Sequence, residues 1–203
     1  MSATPTHALL LQFAQPGADD AAQAARAAQA VIARSLAGAA LQRTAHQPEA
    51  GCYAYYGLSD PVPLDACAAA QLEAALRTSG EVALAHCQVS RLQLVMHREG
   101  PAATARAPVH YVVEMDPEDG WRDELFRWYD EEHLPGLASV PGTVRAQRYL
   151  NLDHGPLSLA CYDLIDASVM GCPDWLAVRA TDWSARVRPH FTNTKRTMFS
   201  RLE

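Results

Sequence analysis

The chain has 203 residues, of which 49% are hydrophobic and 20% charged, and its 17 basic and 23 acidic residues give a net charge of -6. These values are ordinary for a globular protein with a hydrophobic core, and they provide no basic surface of the kind that contacts nucleic acid. No apolar run approaches the roughly 18 residues that a membrane-spanning helix needs, and no basic amphipathic helix indicates a membrane surface.

The first half of the chain predicts four strands and two helices, from the alternation of apolar residues and the positions of proline and glycine. In chain order these are a strand at 7–13 that ends at Pro16-Gly17, a helix from Asp19 or Asp20 to Leu36, strands at 40–46 and 52–58, a helix at 63–78 and a strand-like segment at 82–97 bent near Gln88.

The second half repeats this order after a segment at 101–108 that has no apolar periodicity and is predicted to be a linker. Its elements are a strand at 110–115, a helix at 122–133, strands at 143–150 and 157–165, a helix at 173–187 and a strand at 193–202.

Both halves therefore have the order β-α-β-β-α-β, which is the ferredoxin-like arrangement of an α+β fold. Its antiparallel sheet has helices on one face only, so the other face must be covered. We expect two tandem ferredoxin-like repeats, residues 1–100 and 109–203, whose sheets face each other in a barrel-like pseudo-dimer with a core or cavity between them. Remaining sheet edges would also allow a homodimer.

The cysteines are odd in number and form no CxxC pair; they are Cys52, Cys67, Cys87, Cys161 and Cys172. This pattern predicts reduced thiols in a cytoplasmic protein. The segment 1–7 has no basic residues before the apolar residues that follow, so no signal peptide is expected.

One region resembles a known family. Trp128-Tyr129-Asp130, Glu132-His133-Leu134-Pro135, Val140-Pro141-Gly142 and Arg148-Tyr149 resemble a helix-loop-strand signature of the dimeric α/β-barrel superfamily, in particular its EthD-like group. The resemblance covers residues 109–203 and implies an intrachain dimeric α/β-barrel-like pseudo-dimer. The superfamily includes cofactor-free monooxygenases, haem-degrading enzymes, polyketide cyclases, lactone isomerases and stress proteins, so it does not imply one reaction.

The two halves differ at the equivalent helix. No His, Trp or Tyr occurs between Ala21 and Leu36, and Ala28 stands 105 residues before His133. The sequence therefore predicts one functional site per chain, in the second half.

Within that half, His133 is the predicted catalytic residue. It stands before Leu134-Pro135, and proline disfavours helix at the preceding residue, so we expect His133 at a helix C-terminus. The helix dipole and the carboxylates at 130–132 would favour its charged form. His133 would then transfer a proton, with Tyr129 as a hydrogen-bond partner of the substrate or the imidazole. Alternatively, the ring only ties the helix end to the following loop.

Further residues are predicted to bind the substrate, since aromatic rings suit a flat apolar ligand and an arginine could pin a carbonyl or anionic group. They are Trp128, Arg148, Tyr149, Tyr162 and His190. For Arg148 a surface ion pair is the plainer alternative. Asp130, Glu131 and Glu132 are expected to form a solvated face, and no metal site is predicted.

Three functions compete. The absence of a phosphate-binding loop, a dinucleotide fingerprint and a nucleophile elbow favours a cofactor-independent lyase, isomerase or oxygenase-like enzyme acting on an aromatic or carbonyl-rich molecule. A second hypothesis is a haem-binding or haem-degrading protein with His133, His190 or His97 as axial ligand. The third is a non-catalytic protein that binds a small apolar or aromatic molecule.

Overall fold

The structure, a computed structural model, describes residues 4–15 and 17–202. It divides into two compact units. Unit 1 comprises residues up to 94 together with Asn151–His154 and 199–202, and unit 2 comprises Val95–Leu150 and Gly155–Met198. No helix in the described part of the chain combines the length and the apolar character needed to cross a membrane.

Unit 1 has the element order β-α-β-β-α-β. Its elements are β1 (Thr6–Phe13), α1 (Ala18–Ser35), β2 (Ala39–Gln47), β3 (Gly51–Val62), α2 (Ala66–Arg77) and β4 (Gln88–Glu99, of which 88–94 lie in this unit). The strands pair antiparallel in the order β4-β1-β3-β2, with Leu10 of β1 opposite both Tyr55 and Ser90. This is the strand order of a ferredoxin-like sheet.

The buried face of α1 is built from small residues. Ala21, Ala25 and Ala28 are fully buried in the unit 1 core, with Ile32 as the largest buried residue of the helix. Alanine is a strong helix former whose small side chain lets the helix approach the sheet closely. The predicted cap was wrong, because Gly17 is the N-cap and the two aspartates lie in the first helical turn. Pro16 lies outside the described residues.

Unit 2 has the same order with an additional division of its helices. Its elements are β5 (Val109–Pro117), α3 (Arg122–Trp128), a π-helix (Tyr129–His133), α4 (Leu134–Ala138), β6 (Thr143–Asn151, of which 143–150 lie in this unit), β7 (Ser158–Leu164), α5 (Pro173–Arg179), α6 (Asp182–Val187) and β8 (Phe191–Leu202, of which 191–198 lie in this unit). Its strands follow the order β8-β5-β7-β6. Tyr111 of β5 lies opposite Tyr162 of β7, which lies opposite Ala146 of β6.

Two further predicted elements differ from the structure. The segment expected to begin a strand at Val82 forms a 3₁₀ turn at Val82–Leu84, where the Glu81 side chain accepts from the backbone of Ala83 and the Val82 side chain is exposed. The helix expected at 173–187 is two helices, because Thr181 caps the start of α6 by accepting from the Ser184 N–H.

Buried thiols in unit 1 behave as small apolar groups. Burial raises the pKa of Cys52 to about 12, and burial is the largest of the causes that raise the pKa of Cys87 to about 11. Thiols with such pKa values remain protonated at neutral pH and are poor nucleophiles.

Candidate functional site

The helical segment that carries His133 does not end there. Helix continues through Leu134 to Ala138, and Leu134 keeps right-handed helical angles although a proline follows it. The predicted helix C-terminus at His133 was therefore wrong. The Leu134 N–H bonds to the carbonyl of Tyr129, five residues earlier, as in a π-helix. This wider turn relieves the clash that the Pro135 ring would make with the carbonyl four residues before it.

The π-helix also brings an additional ring to the imidazole. Tyr129 lies four residues before His133, with ring centroids 5.6 Å apart, as the helical spacing predicts. Trp128 lies five residues before His133, yet its ring stacks on the imidazole with centroids 4.0 Å apart and planes at 21°. A wider turn places residues five apart above one another, so both aromatic residues contact His133.

His133 faces a small cavity between the helices and the sheet of unit 2. Its volume is about 30 Å³, room for about one or two water molecules. Six aromatic side chains line it: Tyr111, Trp128, Tyr129, Tyr162, Trp175 and Phe191. The other lining residues are Val113, Leu137, His133 and three arginines, Arg179, Arg188 and Arg196. The sequence had placed such a cavity between two sheets.

The environment of His133 favours the neutral imidazole. The side chain is 8% exposed. Burial, followed by the positive charges of Arg188 and Arg179, lowers the pKa of His133 to about 3. The expectation of a charged imidazole was wrong, because the helix does not end at this residue and the carboxylates of Asp130 and Glu132 are engaged elsewhere. Glu132 accepts from the Trp128 indole at 3.1 Å and from the Thr181 hydroxyl at 2.6 Å.

The tyrosines around the cavity stay protonated. Burial raises the pKa of Tyr129 and of Tyr111, and raises that of Tyr162 well above the ordinary value. At neutral pH these hydroxyls can donate a hydrogen bond, but they cannot serve as phenolate bases.

Three buried polar atoms of lining residues have no hydrogen-bond partner among the described residues. They are Nδ1 of His133, the hydroxyl of Tyr162 and the indole nitrogen of Trp175. Buried polar groups are normally satisfied, and exceptions indicate a strain, a catalytic role or a missing ligand or water. Three such atoms around one cavity can be satisfied by water or by a polar ligand group.

The predicted site residues separate into two groups. His133, Tyr129, Trp128 and Tyr162 come together around the cavity. Arg148, Tyr149 and His190 do not line it. Tyr149 is buried, but neighbouring strand residues point to opposite faces, so it lies on the other face of β6 from Arg148. The ring of His190 stacks on that of Trp121 with centroids 3.4 Å apart, and its Nδ1 is hydrogen-bonded to Glu118 Oε2 at 2.5 Å.

Arg148 supports the helix rather than forming a surface ion pair. It is 2% exposed, and its Nη2 donates to Asp130 Oδ1 at 2.8 Å. Its guanidinium lies over the rings of Phe126 at 4.5 Å and Tyr129 at 5.4 Å. Arg148 thus packs against the Tyr129 ring from outside the cavity and acts as a positioning residue.

Replacing Asp130 by Asn should lower the free energy of unfolding by about 1–3 kcal/mol, because it removes the charged acceptor of a buried guanidinium. Arg148→Met should cost less, since it removes the buried charge together with its need for a partner. Urea denaturation of the two variants tests this order, and a larger loss for Arg148→Met would contradict it.

The sequence analysis did not identify the three arginines that line the cavity as site residues. Arg179 ends α5, Arg188 begins the 3₁₀ turn at Arg188–His190, and Arg196 lies on β8. No local spacing relates the three, so only the folded chain brings them together. Trp175, Tyr111 and Phe191 were likewise not singled out as site residues. In the described part of the chain, no group of three or more His, Cys, Asp or Glu side chains is arranged to hold a metal ion.

Comparison with known proteins reveals the fold. No family model matches the chain, and no curated protein matches it. Among solved structures, an anthrone oxidase-like protein superposes with a TM-score of 0.61 at 13% identity, over 100% of this chain and 94% of that one. A protein from Lactobacillus acidophilus, provisionally described as a monooxygenase, gives 0.60 at 13% identity over 98% and 94%.

A heme-degrading enzyme from Listeria monocytogenes is similar too, with a TM-score of 0.53 at 8% identity over 95% of this chain and 98% of that one. At such identities the likeness concerns the fold alone. The chain has the ferredoxin-like α/β fold that these monooxygenase-like and haem-degrading proteins share.

Proposed function

We propose that this protein is a cofactor-independent enzyme that removes a proton from an aromatic, carbonyl-rich small molecule, in an oxygenase-like reaction. The observation that carries the proposal is His133: a buried, neutral imidazole whose Nδ1 lacks a partner among the described residues, in a cavity walled by aromatic rings. The similarity in fold to an anthrone oxidase-like protein supports it.

The neutral imidazole is the form that can accept a proton. Its low pKa makes it a weak base by itself. The same arginines, however, lower the free energy of negative charge in the cavity, so they make a bound ketone a stronger carbon acid. Positive groups aimed at developing charge in a site with little water are an effective form of catalysis. Tyr129 would orient the substrate by donating a hydrogen bond to its carbonyl.

With an anthrone as substrate, the reaction balances with dioxygen as the oxidant. His133 takes one proton from the methylene carbon, and the electron pair remains as an enolate. The enolate carbon bonds to dioxygen, and the imidazolium returns its proton to give a hydroperoxide. Loss of the second methylene proton and breakage of the O–O bond give the quinone carbonyl and one water.

The cavity is smaller than such a substrate, so a side chain at its mouth must move. Arg196 is exposed and can turn into solvent at small cost, while Arg179 and Arg188 are half-buried and keep their charges at the cavity. A flat ring system needs to insert only one edge to bring a carbon to His133.

Haem does not fit this cavity. An axial ligand must meet the centre of the macrocycle, so a haem on His133 would need space on every side of the imidazole. Trp128 stacks on this ring with centroids 4.0 Å apart, and Tyr129 meets it edge-on with centroids 5.6 Å apart. The other predicted haem ligands, His97 and His190, do not line the cavity. No step is therefore assigned to haem.

The finer assignments belong to the same proposal: membership of the EthD-like group, and a tandem of two repeats at 1–100 and 109–203 joined at 101–108. The order β-α-β-β-α-β in each unit supports a tandem. A cytoplasmic location agrees with the free cysteines, and a homodimer is an expectation that size-exclusion chromatography tests.

The test is oxidation of anthrone in air-saturated buffer at pH 7, followed by the absorbance of anthraquinone. We expect the protein to accelerate the reaction and His133→Gln to lower kcat by about 100-fold or more, the range for loss of an acid-base group. His86→Gln, a change at an exposed histidine of unit 1, serves as the control and should leave kcat unchanged.

Thermal melting of each variant separates loss of chemistry from loss of fold. Full activity in a folded His133→Gln variant would remove His133 from the mechanism. No acceleration by the wild-type protein of the oxidation of anthrone or of anthrone-2-carboxylate would refute the oxygenase-like reaction itself.

A further inference from the structure

We propose that Arg179, Arg188 and Arg196 form an anion-binding subsite at the mouth of the aromatic cavity, so that the ligand is an aromatic molecule carrying a carboxylate or a comparable anionic group. The inference rests on the proposed function, which uses the same cavity, and it names the chemical class of the ligand.

The three guanidinium groups arrive from separate elements. Arg179 comes from the end of α5, Arg188 from the turn after α6 and Arg196 from β8, and all three line the same cavity. No carboxylate side chain is among the lining residues. Within the described ranges, none of the three arginines has a carboxylate within ion-pair distance, whereas Arg145, Arg148 and Arg186 do.

The three positive charges repel one another when no anion is bound, and this repulsion raises the free energy of the unliganded protein. Burial, followed by the charges of Arg179 and Arg196, lowers the pKa of Arg188. Like charges held together without a counter-ion repel one another, more so where solvent is partly excluded. The chain as a whole is negative, at -6, so the local excess of positive charge is a feature of this site.

The geometry favours an organic anion over an inorganic one. Guanidinium groups bind carboxylates through two parallel hydrogen bonds. Behind the arginines lie aromatic rings and the unpartnered hydroxyl of Tyr162 and indole nitrogen of Trp175. A ligand that satisfies both parts has a charged end for the arginines and a flat body for the rings.

Isothermal titration calorimetry of 2-naphthoate and of its neutral counterpart 2-naphthamide tests this subsite at pH 7. We expect 2-naphthoate to bind at least about ten-fold more tightly than the amide, as charge-assisted hydrogen bonds are stronger than neutral ones. Arg188→Gln and Arg179→Gln should each weaken naphthoate binding by about ten-fold and leave amide binding nearly unchanged.

Arg186→Gln is the matched control, because it removes the same charge from an arginine that pairs with Glu124 outside the cavity. It should leave naphthoate binding unchanged. Thermal melting adds a second readout: removing a repelled charge should not lower the melting temperature of Arg188→Gln, whereas a purely structural arginine would lower it.

Equal affinity for acid and amide, equal weakening by Arg186→Gln and Arg188→Gln, or no saturable binding of naphthoate would each overturn the subsite. The probe undergoes no reaction, so the outcome is separate from catalysis. Naphthoate binding without oxidation of anthrone or of anthrone-2-carboxylate would refute the proposed function and retain the anion subsite. Oxidation of anthrone without naphthoate binding would refute the subsite and retain the proposed function.

Discussion

Replacing Trp128 by Ala should lower the free energy of unfolding by about 3–5 kcal/mol, the range for emptying the space of a large buried aromatic side chain. Trp128 is fully buried. Its ring centroid lies 4.0 Å from that of His133, 4.7 Å from that of Tyr129 and 6.0 Å from that of Phe191. Its removal leaves a void in the packing of unit 2 and frees the imidazole that it holds in place. Urea denaturation followed by circular dichroism gives the loss.

Two controls separate the parts of this effect. Trp128→Phe keeps an aromatic ring but loses the hydrogen bond to Glu132, so it should cost about 1–2 kcal/mol. Trp121→Ala removes a half-buried ring that stacks on His190 outside the cavity, and should cost less than Trp128→Ala. Equal losses at Trp121 and Trp128 would show that burial at the cavity does not set the stability of this unit.

Sequence patterns predicted most strands well because each is bounded by strong local signals. The strands expected at 143–150 and 157–165 are found at Thr143–Asn151 and Ser158–Leu164. Apolar content alone failed at Val82, where the run is short and Glu81 starts a 3₁₀ turn. A side chain that caps a turn can outweigh apolar character over a few residues.

The sequence predicted the clustering of residues that are neighbours along the chain. Trp128, Tyr129 and His133 lie in one run of helix, so one local pattern indicated all three. The protonation state of His133 could not be predicted from that run. It depends on Arg179 and Arg188, which are distant in sequence, and on a π-helix that carries the backbone past Pro135.

Arg148 is a second residue whose environment could not be predicted from its neighbours in the sequence. Its sequence neighbourhood agreed with a substrate-binding residue or a surface ion pair. The folded chain instead buries its guanidinium behind Tyr129 and pairs it with Asp130. Whether a strand residue faces the helices or the opposite side depends on register, and β6 has an irregularity between Thr143 and Arg145 that shifts its pairing with β7.

The stability of the protein should depend on pH through His133. Its pKa is about 3 in the folded protein, against about 6.5 in an unfolded chain. Between these values the unfolded chain binds a proton that the folded protein does not bind. Stability therefore rises with pH across this window and is lost as the pH falls from about 6.5 towards 3, by up to about 1.4 kcal/mol for each pH unit.

His133→Gln cannot titrate, so the variant should lack this part of the pH dependence. Urea denaturation of both proteins at pH 7, 6, 5 and 4 gives the difference, in which the other histidines cancel. We expect the stability of wild type relative to the variant to fall by about 1 kcal/mol per pH unit below pH 6. Parallel pH profiles would contradict a depressed pKa.

An NMR titration separates this origin from a general acid transition. The imidazole resonances of His133 should stay constant between pH 8 and pH 5, since the neutral form persists there. A midpoint near 6.5 for His133 would mean that solvent reaches the ring. In that case Arg179 and Arg188 could not control its basicity. Addition of 2-naphthoate then gives a final check: an anion that pairs with these arginines removes part of the field that lowers the pKa of His133, so its midpoint should rise.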